Sequence, residues 1–332
     1  MLKWELWQDP GTLSQWDNRL AAFDDRSIYQ TMAWGEYRRA LGWTPYRWAA
    51  VDNGNVVAMA QGLLRRYAAG VGLLWLPGGP VGDVAAWNTG LQSIMRRSVG
   101  IPMLYCRFNA FKPLTPAAAD QLPAARWTRP RARLGTGRSL LYDVSHEETA
   151  RVAATSRNWR HNLKRSRRGE FTTAAWATPD AAEMRAVYAG MEDRKNLALQ
   201  HSERELRALY DHLAPQLITY GCRDTGGALL AFRACGLFAG KAWDLLAATS
   251  AAGRRVYASY AAFWALTEDC HRRGIGQYDL SGVDPVGNRG VYDFKQGTGA
   301  SAVEYLGEWE WASPSLLSLP VNWMIGLRGR AP

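Results

Sequence analysis

A single lysine in a glycine-rich stretch near the C-terminus is the side chain best placed for chemistry in this sequence. The segment Tyr278–Trp311 is typical of a strand, a turn rich in glycine, the lysine Lys295, and a second strand. Lys295 is followed by Gly297 and Gly299, and glycine lets other groups approach the backbone closely. Only six of the 40 basic residues are lysines. The pattern predicts a fixed positive charge at the mouth of a bend; the alternative is a hairpin with an exposed lysine.

A strongly basic helix is predicted over Thr155–Gly169. Either of its first two residues can cap its start, and its final glycine can end it. Trp159 and Leu163 are spaced to anchor the helix on a core. Four basic residues follow a spacing that places them on one face: Arg157, Arg160, Lys164 and Arg168. This face could follow the phosphates of a nucleic acid, or it could be an ordinary solvated surface, and charge alone leaves both open.

The elements that must position these residues occur twice along the chain. Each copy shows a hairpin, a third strand, a helix and a closing strand, in that order. The first copy comprises Tyr46–Val51, Val56–Leu64, Leu73–Leu76, Val84–Val99 and Met103–Phe108. The second comprises Leu217–Cys222, Ala228–Leu237, Ala242–Ala248, Val256–Arg273 and Gln277–Leu280. Order and spacing, rather than identity between the copies, therefore predict two versions of one α/β domain.

A chain of 332 residues also suits two domains of ordinary size. Prolines and glycines concentrate in Lys112–Leu141, which we interpret as the linker. The predicted first domain is therefore 1–145 and the second is 146–332. We expect the first to bind the acceptor substrate, and the second to carry Lys295 and the basic helix.

Composition restricts the compartment and the chemistry. No apolar run approaches the ~18–20 residues of a membrane span, and the N-terminus lacks the apolar run of a signal peptide, so we expect a cytoplasmic protein. The histidines show no ligand spacing, so no metal site is predicted. The cysteines are scattered and are expected to be free thiols: Cys106, Cys222, Cys235 and Cys270.

A formal net charge of +10 favours polyanionic partners, namely RNA, phosphate-bearing substrates or an anionic membrane surface. The alternative explanation is that proteins of the source organism are generally basic and rich in arginine. The C-terminal tail mixes apolar residues with terminal arginines. It could contact the inner face of a membrane peripherally or pack on its own domain.

The segment around Lys295 resembles the C-terminal signature of the FemX/FemAB-type peptidyltransferases. In that family a Tyr-Asp-Phe strand leads through a glycine-rich loop to Phe-Lys-x-Gly and then to Val-Glu-Tyr-x-Gly-Glu. Nearly the same residues stand here: Tyr278-Asp279, Gly282, Phe294-Lys295, Gly297, Gly299, Val303-Glu304-Tyr305 and Gly307-Glu308. The resemblance implies an α/β (α+β) fold of two tandem GNAT-like domains. Because the sequence has no heptad run, the coiled-coil arm of some family members is expected to be absent.

The resemblance also assigns roles to residues outside this signature. Ile28–Trp43 is similar to a family segment that often contains a lysine in contact with the acceptor's diphosphate. Trp34 matches a tryptophan of that segment, and Arg38 occupies the position of the lysine. Met191–Tyr210 is similar to the segment with a phosphate-binding arginine, for which Arg194 is the best match and Lys195 a rival.

In the second domain, the family resemblance places Tyr257 and Tyr260 beside the substrate cavity, although core packing is an alternative for at least one of them. Phe294 is the neighbour of Lys295 in the same signature. The basic helix matches a family helix, which favours a contact of Arg157, Arg160, Lys164 and Arg168 with tRNA.

One departure from the family bears on the mechanism. The family often carries an acidic residue after the closing strand of the first domain, where this chain has Asn109. An amide cannot act as a carboxylate base, so proton transfer assisted by the substrate is favoured. The segment Arg254–Ser259 lacks the glycine of a CoA pyrophosphate loop, and Gly240-Lys241 does not complete a Walker loop.

The sequence therefore predicts an aminoacyltransferase that uses aminoacyl-tRNA as co-substrate and needs no cofactor or metal. The acceptor would be an amine of a UDP- or lipid-linked muropeptide precursor, as in interpeptide bridge formation, and the protein would be a monomer. Lys295 would stabilise the negative charge that develops during transfer. Two alternatives remain: an N-acyltransferase that uses acyl-CoA on a sugar or peptide amine, and a non-catalytic scaffold that binds RNA or a membrane.

Overall fold

The computed structural model describes residues 1–195 and 199–328. In chain order its strands are β1 (Lys3–Leu6), β2 (Thr44–Asp52), β3 (Asn55–Arg66), β4 (Val71–Pro77), β5 (Val81–Gly82), β6 (Met103–Pro113), β7 (Arg138–Asp143), β8 (Phe171–Ala175), β9 (Leu217–Asp224), β10 (Leu229–Phe238), β11 (Lys241–Thr249), β12 (Gln277–Asp279) and β13 (Ser301–Ser313). Its α-helices are α1 (Pro10–Ser14), α2 (Trp16–Ala21), α3 (Met32–Ala40), α4 (Val84–Asn88), α5 (Leu91–Val99), α6 (Pro116–Ala124), α7 (Glu148–Ala154), α8 (Arg157–Ser166), α9 (Ala181–Lys195), α10 (Glu203–Leu213), α11 (Ala251–Arg255), α12 (Ala258–Arg272), α13 (Arg289–Gln296) and α14 (Ser318–Arg328).

The chain divides into two compact units. Unit 1 contains Met1–Arg138 and the segment that begins at Glu304, and unit 2 contains Ser139–Val303. The first boundary lies at 138/139 and not at the predicted 145/146, because β7 pairs with β12 of unit 2. The C-terminal segment also returns to unit 1, where β13 pairs antiparallel with β6. The predicted linker also differs, since it contains the helix α6. Which substrate each unit binds remains a prediction.

Unit 1 is built on the strand order β1-β2-β3-β4-β6-β13, with β5 beside β3. The predicted hairpin is present, and Asn53 and Gly54 form its turn with φ of 49° and 81°. β4 and β6 run parallel, whereas the other pairs are antiparallel. The single helix predicted over 84–99 is two helices, because Gly90 interrupts it with φ of 88°.

Unit 2 repeats this plan with the order β7-β12-β11-β10-β9-β8. β9 and β10 form the predicted hairpin, and β12 lies parallel to β11 after the helix α12. The alternating strands and helices bury a separate core in each unit, one around Trp48 and Phe108 and the other around Tyr142 and Phe263. The predicted duplication and the mixed α/β fold class are therefore confirmed.

The segment that carries Lys295 differs from the sequence expectation in one respect. The sequence predicted no helix between the glycine-rich turn and the last strand, but residues 289–296 form the helix α13. This helix turns Phe294 onto the core of unit 2 and buries Lys295 beside it. Because α13 is only eight residues long and follows two glycines, its periodicity is hidden in the sequence.

Candidate active site

Lys295 lies in the last turn of α13 and is 8% exposed, so it is not the exposed hairpin lysine of the alternative interpretation. Its Nζ donates to the carbonyl oxygens of Ser281 and Gly282, at 3.1 and 3.0 Å. These carbonyls belong to the loop that follows β12. Pairing of β12 with β11 ends at Asp279 and Trp243. The ammonium group is thus held beyond the carboxyl end of a parallel strand pair, where α/β folds commonly bind ligands.

A buried ion pair lies close to this lysine. Arg233 donates from Nε and Nη2 to the two carboxylate oxygens of Asp244, at 2.9 and 2.6 Å. Both side chains are less than a tenth exposed. Tyr278 donates to the same carboxylate at 3.0 Å, and burial raises the pKa of the Tyr278 hydroxyl well above its usual value. A paired and hydrogen-bonded charge of this kind avoids most of the cost of burial.

Ser281 connects the ion pair to Lys295. Its Oγ donates to the backbone oxygen of Asp244 at 2.6 Å, and its own carbonyl accepts from Lys295. Its φ is 61°, in the left-handed region that residues other than glycine rarely occupy. Asp279 stabilises this conformation, because its carboxylate accepts from the Ser281 N–H at 2.8 Å and from the Ser139 hydroxyl. Such strain persists only where the surroundings fix it.

The charges around Lys295 act on its pKa in opposite directions. Burial lowers the pKa below the usual 10.5, the negative charge of Asp244 raises it, and the positive charge of Arg233 lowers it. An ammonium group has three N–H donors, and the two carbonyls take two of them. The third can serve an oxyanion that forms on a substrate.

Aromatic side chains pack together beside Lys295. Phe294 lies 5.0 Å from the ring of Tyr260 and 5.9 Å from that of Trp159. The guanidinium of Arg233 lies 5.4 Å from the Phe294 ring, within cation–π range. Asn162 also donates to the Tyr260 hydroxyl at 3.0 Å. Trp159 and Asn162 both belong to α8, so this helix is anchored on the same cluster.

The basic helix was located correctly, with Ser156 as its N-cap. It ends at Ser166, three residues before the predicted Gly169, so Arg168 lies beyond it. The four predicted tRNA contacts are exposed: Arg157, Arg160, Lys164 and Arg168. Arg160 also has a structural contact, because its Nη2 donates to the carbonyl oxygens of Ala153 and Thr155.

Tyr257 lies at the N-cap of α12 with φ of 61° and is half-buried. The guanidinium of Arg165, on α8, lies 4.4 Å from the Tyr257 ring. Tyr257 is 6.1 Å from Tyr260, which is the more deeply packed of the pair because it contacts Trp159 and Phe294. The structure therefore brings Lys295, Phe294, Tyr257 and α8 together within unit 2.

Arg194 is exposed near the end of α9. Desolvation, followed by the positive charge of Arg254, lowers the pKa of Arg194 from its usual value. Two arginines close enough to affect each other are a reasonable anion-binding arrangement. The side chain of the rival Lys195 lies outside the described residues.

Arg38 and Trp34 lie on α3 in unit 1 and form a separate cluster. The Arg38 guanidinium lies 5.5 Å from the ring of Tyr37 and 5.3 Å from that of Trp43. Within the described residues, Nε of Arg38 and Nε1 of Trp34 are buried without a hydrogen-bond partner. Arg38 is half-buried. Unpartnered buried donors beside aromatic rings can bind an anionic ligand.

Other site types find no support in the part of the chain that the structure describes. No group of three or more histidine, cysteine or acidic side chains there could hold a metal ion. None of the described helices has the length and apolar character of a membrane span. All four cysteines are free thiols in buried positions.

Sequence reasoning missed Arg233, Asp244 and Ser281. Arg233 is the one charged residue in the apolar strand β10, and Asp244 interrupts the otherwise apolar centre of β11. Opposite charges in the interiors of two strands of one hairpin indicate a buried pair, and that signal was available. The left-handed conformation of Ser281 has no sequence signal of comparable strength.

Comparison with known proteins supports the family resemblance. The FemAB family model matches residues 237–317, which include β12, α13 and Lys295. No curated protein matches the chain. Among solved structures, the crystal structure of FemX has 14% identity and a TM-score of 0.80, and the alignment covers 97% of this chain and 100% of that one. The predicted resemblance to the FemX/FemAB type is therefore confirmed.

Two further structures support the tandem GNAT fold. A tandem GNAT protein from the clavulanic acid biosynthesis pathway has 13% identity and a TM-score of 0.57 over 94% of this chain and 99% of that one. The structure of L-PGS from Bacillus licheniformis has 14% identity and a TM-score of 0.55 over 96% of each chain. At such low identity the structures show the fold alone. The family match over residues 237–317 is the finding that supports an aminoacyltransferase or N-acyltransferase.

Proposed function

On the basis of this FemAB-type segment and FemX-like fold, we propose that the chain is an aminoacyltransferase. It would move an aminoacyl group from aminoacyl-tRNA to an amine of a peptidoglycan-precursor-like peptide. The observation that carries the proposal is the buried ammonium group of Lys295, held by two carbonyls inside the segment that the family model matches. A fixed cation in a desolvated site is suited to stabilising an oxyanion.

The reaction requires no outside energy source because the donor is already an ester. The acceptor amine would attack the ester carbonyl, a C–N bond would form, and the C–O bond to the ribose would break. The amine proton would pass to the departing ribose oxygen, since Asn109 offers no carboxylate. Lys295 would stabilise the negative charge on the tetrahedral oxygen. Loss of one such donor typically lowers the catalytic rate by a factor of about 10²–10³.

The remaining predicted residues would bind the substrates. Arg38, with its unpartnered Nε beside aromatic rings, would contact a diphosphate of the acceptor in unit 1. In unit 2, the exposed Arg194 near Arg254 would bind a phosphate group. The exposed basic side chains of α8 would contact the tRNA acceptor arm. The decrease of tRNA affinity with rising salt would measure the number of these phosphate contacts. The protein is proposed to be cytoplasmic.

The test is transfer of radiolabel from a pool of aminoacyl-tRNAs to a muropeptide precursor, with labelled acyl-CoA in a parallel reaction. We expect transfer from tRNA, loss of transfer after RNase treatment, and a fall of about 10²-fold or more in Lys295→Met. Lys3→Met is the matched control, because Lys3 is exposed in unit 1. Transfer from acyl-CoA alone would overturn the donor assignment, and an unchanged rate in folded Lys295→Met would overturn the role of the lysine.

A further inference from the structure

The helix α14 of unit 1 presents an apolar face to solvent. Over 318–327, where its side chains are described, the exposed residues recur at the spacing of one helix face and carry no charge: Leu319, Pro320, Trp323, Met324 and Leu327. Trp323 is 66% exposed, and Leu316, in the turn just before the helix, is 73% exposed. A surface helix normally turns its polar face outward. Contiguous exposed apolar side chains of this kind mark an interaction surface.

The inward face of α14 fixes this orientation. Asn322 is 6% exposed, and its amide donates to the carboxylate of Glu310 at 2.8 and 3.0 Å. Its Oδ1 accepts from the backbone N–H of Ala132 at 3.0 Å. Glu310 also accepts from the Tyr105 hydroxyl at 2.6 Å. A helix held by a buried asparagine cannot rotate its apolar face inward without breaking these bonds.

Exposed arginines flank a residue that holds α14 in place. The loop held by Ala132 carries the exposed Arg131 and Arg133. Between Asp120 and Asp143 the chain has five arginines and no acidic residue, and no acidic residue follows Glu310. A second copy of this chain would bring these arginines against their own equivalents, because a two-fold interface is self-complementary. An anionic lipid surface complements both the charge and the apolar side chains.

We propose that α14 is an interfacial membrane-binding helix. Leu319, Trp323 and Leu327 would enter the boundary between headgroups and acyl chains of an anionic leaflet, while Arg131 and Arg133 contact the headgroups. Tryptophan favours this boundary because its ring is apolar and its N–H is polar. The proposal is independent of the acyl donor and of Lys295.

The test is co-sedimentation of the full chain with vesicles of phosphatidylcholine alone or mixed with phosphatidylglycerol. We expect binding to the anionic vesicles that weakens at high salt. The double variant Leu319→Ser/Trp323→Ser should lose about a hundredfold or more in partitioning. Arg131→Ala/Arg133→Ala should lose about thirtyfold on anionic vesicles. The control Arg96→Ala/Arg97→Ala removes two exposed charges from α5 and should change partitioning by no more than about threefold.

Thermal unfolding of each variant establishes that the fold is retained, and Leu319→Ala/Trp323→Ala is the milder pair if the serine variant unfolds. Wild-type protein that does not sediment with anionic vesicles overturns the proposal. Equal binding by the wild type and the face variants also overturns it. A wild-type dimer in light scattering that Trp323→Ser converts to a monomer assigns the face to a second copy instead.

Discussion

Units 1 and 2 share one order of strands, yet they use their buried ion pairs differently. In unit 1 the guanidinium of Arg107 contacts the carboxylate of Glu308, and both side chains are at most 3% exposed. The same carboxylate accepts from the N–H groups of Leu134 and Gly135 at 2.9 and 2.7 Å, and Arg107 donates to the Ala132 carbonyl at 2.6 Å. This pair therefore fixes the backbone of a loop.

In unit 2 the buried ion pair lies beside a side chain and not against a loop backbone. The Arg233–Asp244 pair accepts a hydrogen bond from Tyr278, lies against the ring of Phe294, and sets the charge around Lys295. The duplication thus provides two similar frameworks. In one, the buried ion pair binds main-chain groups of a loop, and in the other it lies beside a buried lysine. Topology alone therefore does not tell which unit is catalytic.

The largest expected effect comes from breaking each ion pair in turn. Asp244→Asn should destabilise the protein by about 3–5 kcal/mol because Arg233 remains buried without its counter-charge. Glu308→Gln should cost a similar ~3–5 kcal/mol because Arg107 is equally buried. Urea unfolding followed by circular dichroism measures both values.

Glu203→Gln is the control, since Glu203 is 45% exposed and its partner Arg207 is 65% exposed, and it should cost at most about 0.5 kcal/mol. If Asp244→Asn were as mild as this control, the charge of Asp244 would not be needed to balance the buried Arg233. The contrast drawn between the two units would then lose its basis.

Much of the framework could be predicted from the sequence because it rests on local signals. The Asn-Gly turn indicated the first hairpin, and Thr155 or Ser156 before a basic periodic run indicated the start of α8 to within one residue. Lys295 stood out because glycines surround it in a lysine-poor chain. These features depend on residues within a few positions of one another.

The chemical environment of Lys295 could not be predicted in the same way. It depends on Asp244, Ser281 and Arg233, which are brought together only when β10, β11 and β12 pair. The return of the C-terminal strand to unit 1 was also missed, because β13 and β6 are separated by most of unit 2 in the sequence. Such long-range pairing leaves no local trace.

Two glycines of the signature around Lys295, one in each unit, allow a second comparison of the units. The expected loss of stability is smaller than for the ion-pair variants. Gly299 of unit 2 has φ of 89°, and a Cβ there would lie 2.6 Å from the carbonyl oxygen of Ala154. Gly307 of unit 1 has φ of 64°, but its nearest neighbours would be 3.5 Å away. Gly299→Ala should therefore cost about 3 kcal/mol and Gly307→Ala about 1 kcal/mol. Thermal and urea unfolding of the two variants under one buffer condition provide the measurement, and equal losses would contradict the structure at one of these glycines.

The smallest effect, and the most specific to unit 2, is a dependence of stability on pH. Burial lowers the pKa of Lys295 below 10.5, so between that lowered pKa and 10.5 the unfolded chain binds more protons than the native state. The unfolding free energy of the wild type, minus that of Lys295→Met, should therefore rise as the pH increases through this window. Other titrating groups are common to both proteins and cancel in the difference.

The ion-pair variants decide whether this titration belongs to unit 2 alone. Asp244 is the stronger of two negative charges that raise the pKa of Lys295, the other being Asp279, so Asp244→Asn should move the start of the rise to lower pH. Glu308→Gln changes a charge in unit 1 that is not among those acting on Lys295, and it should leave the start unchanged. Parallel stability curves for the wild type and Lys295→Met would mean that Lys295 titrates as it does in the unfolded chain. The buried ion pair of unit 2 would then be no more than a counterpart of the one that holds the loop in unit 1.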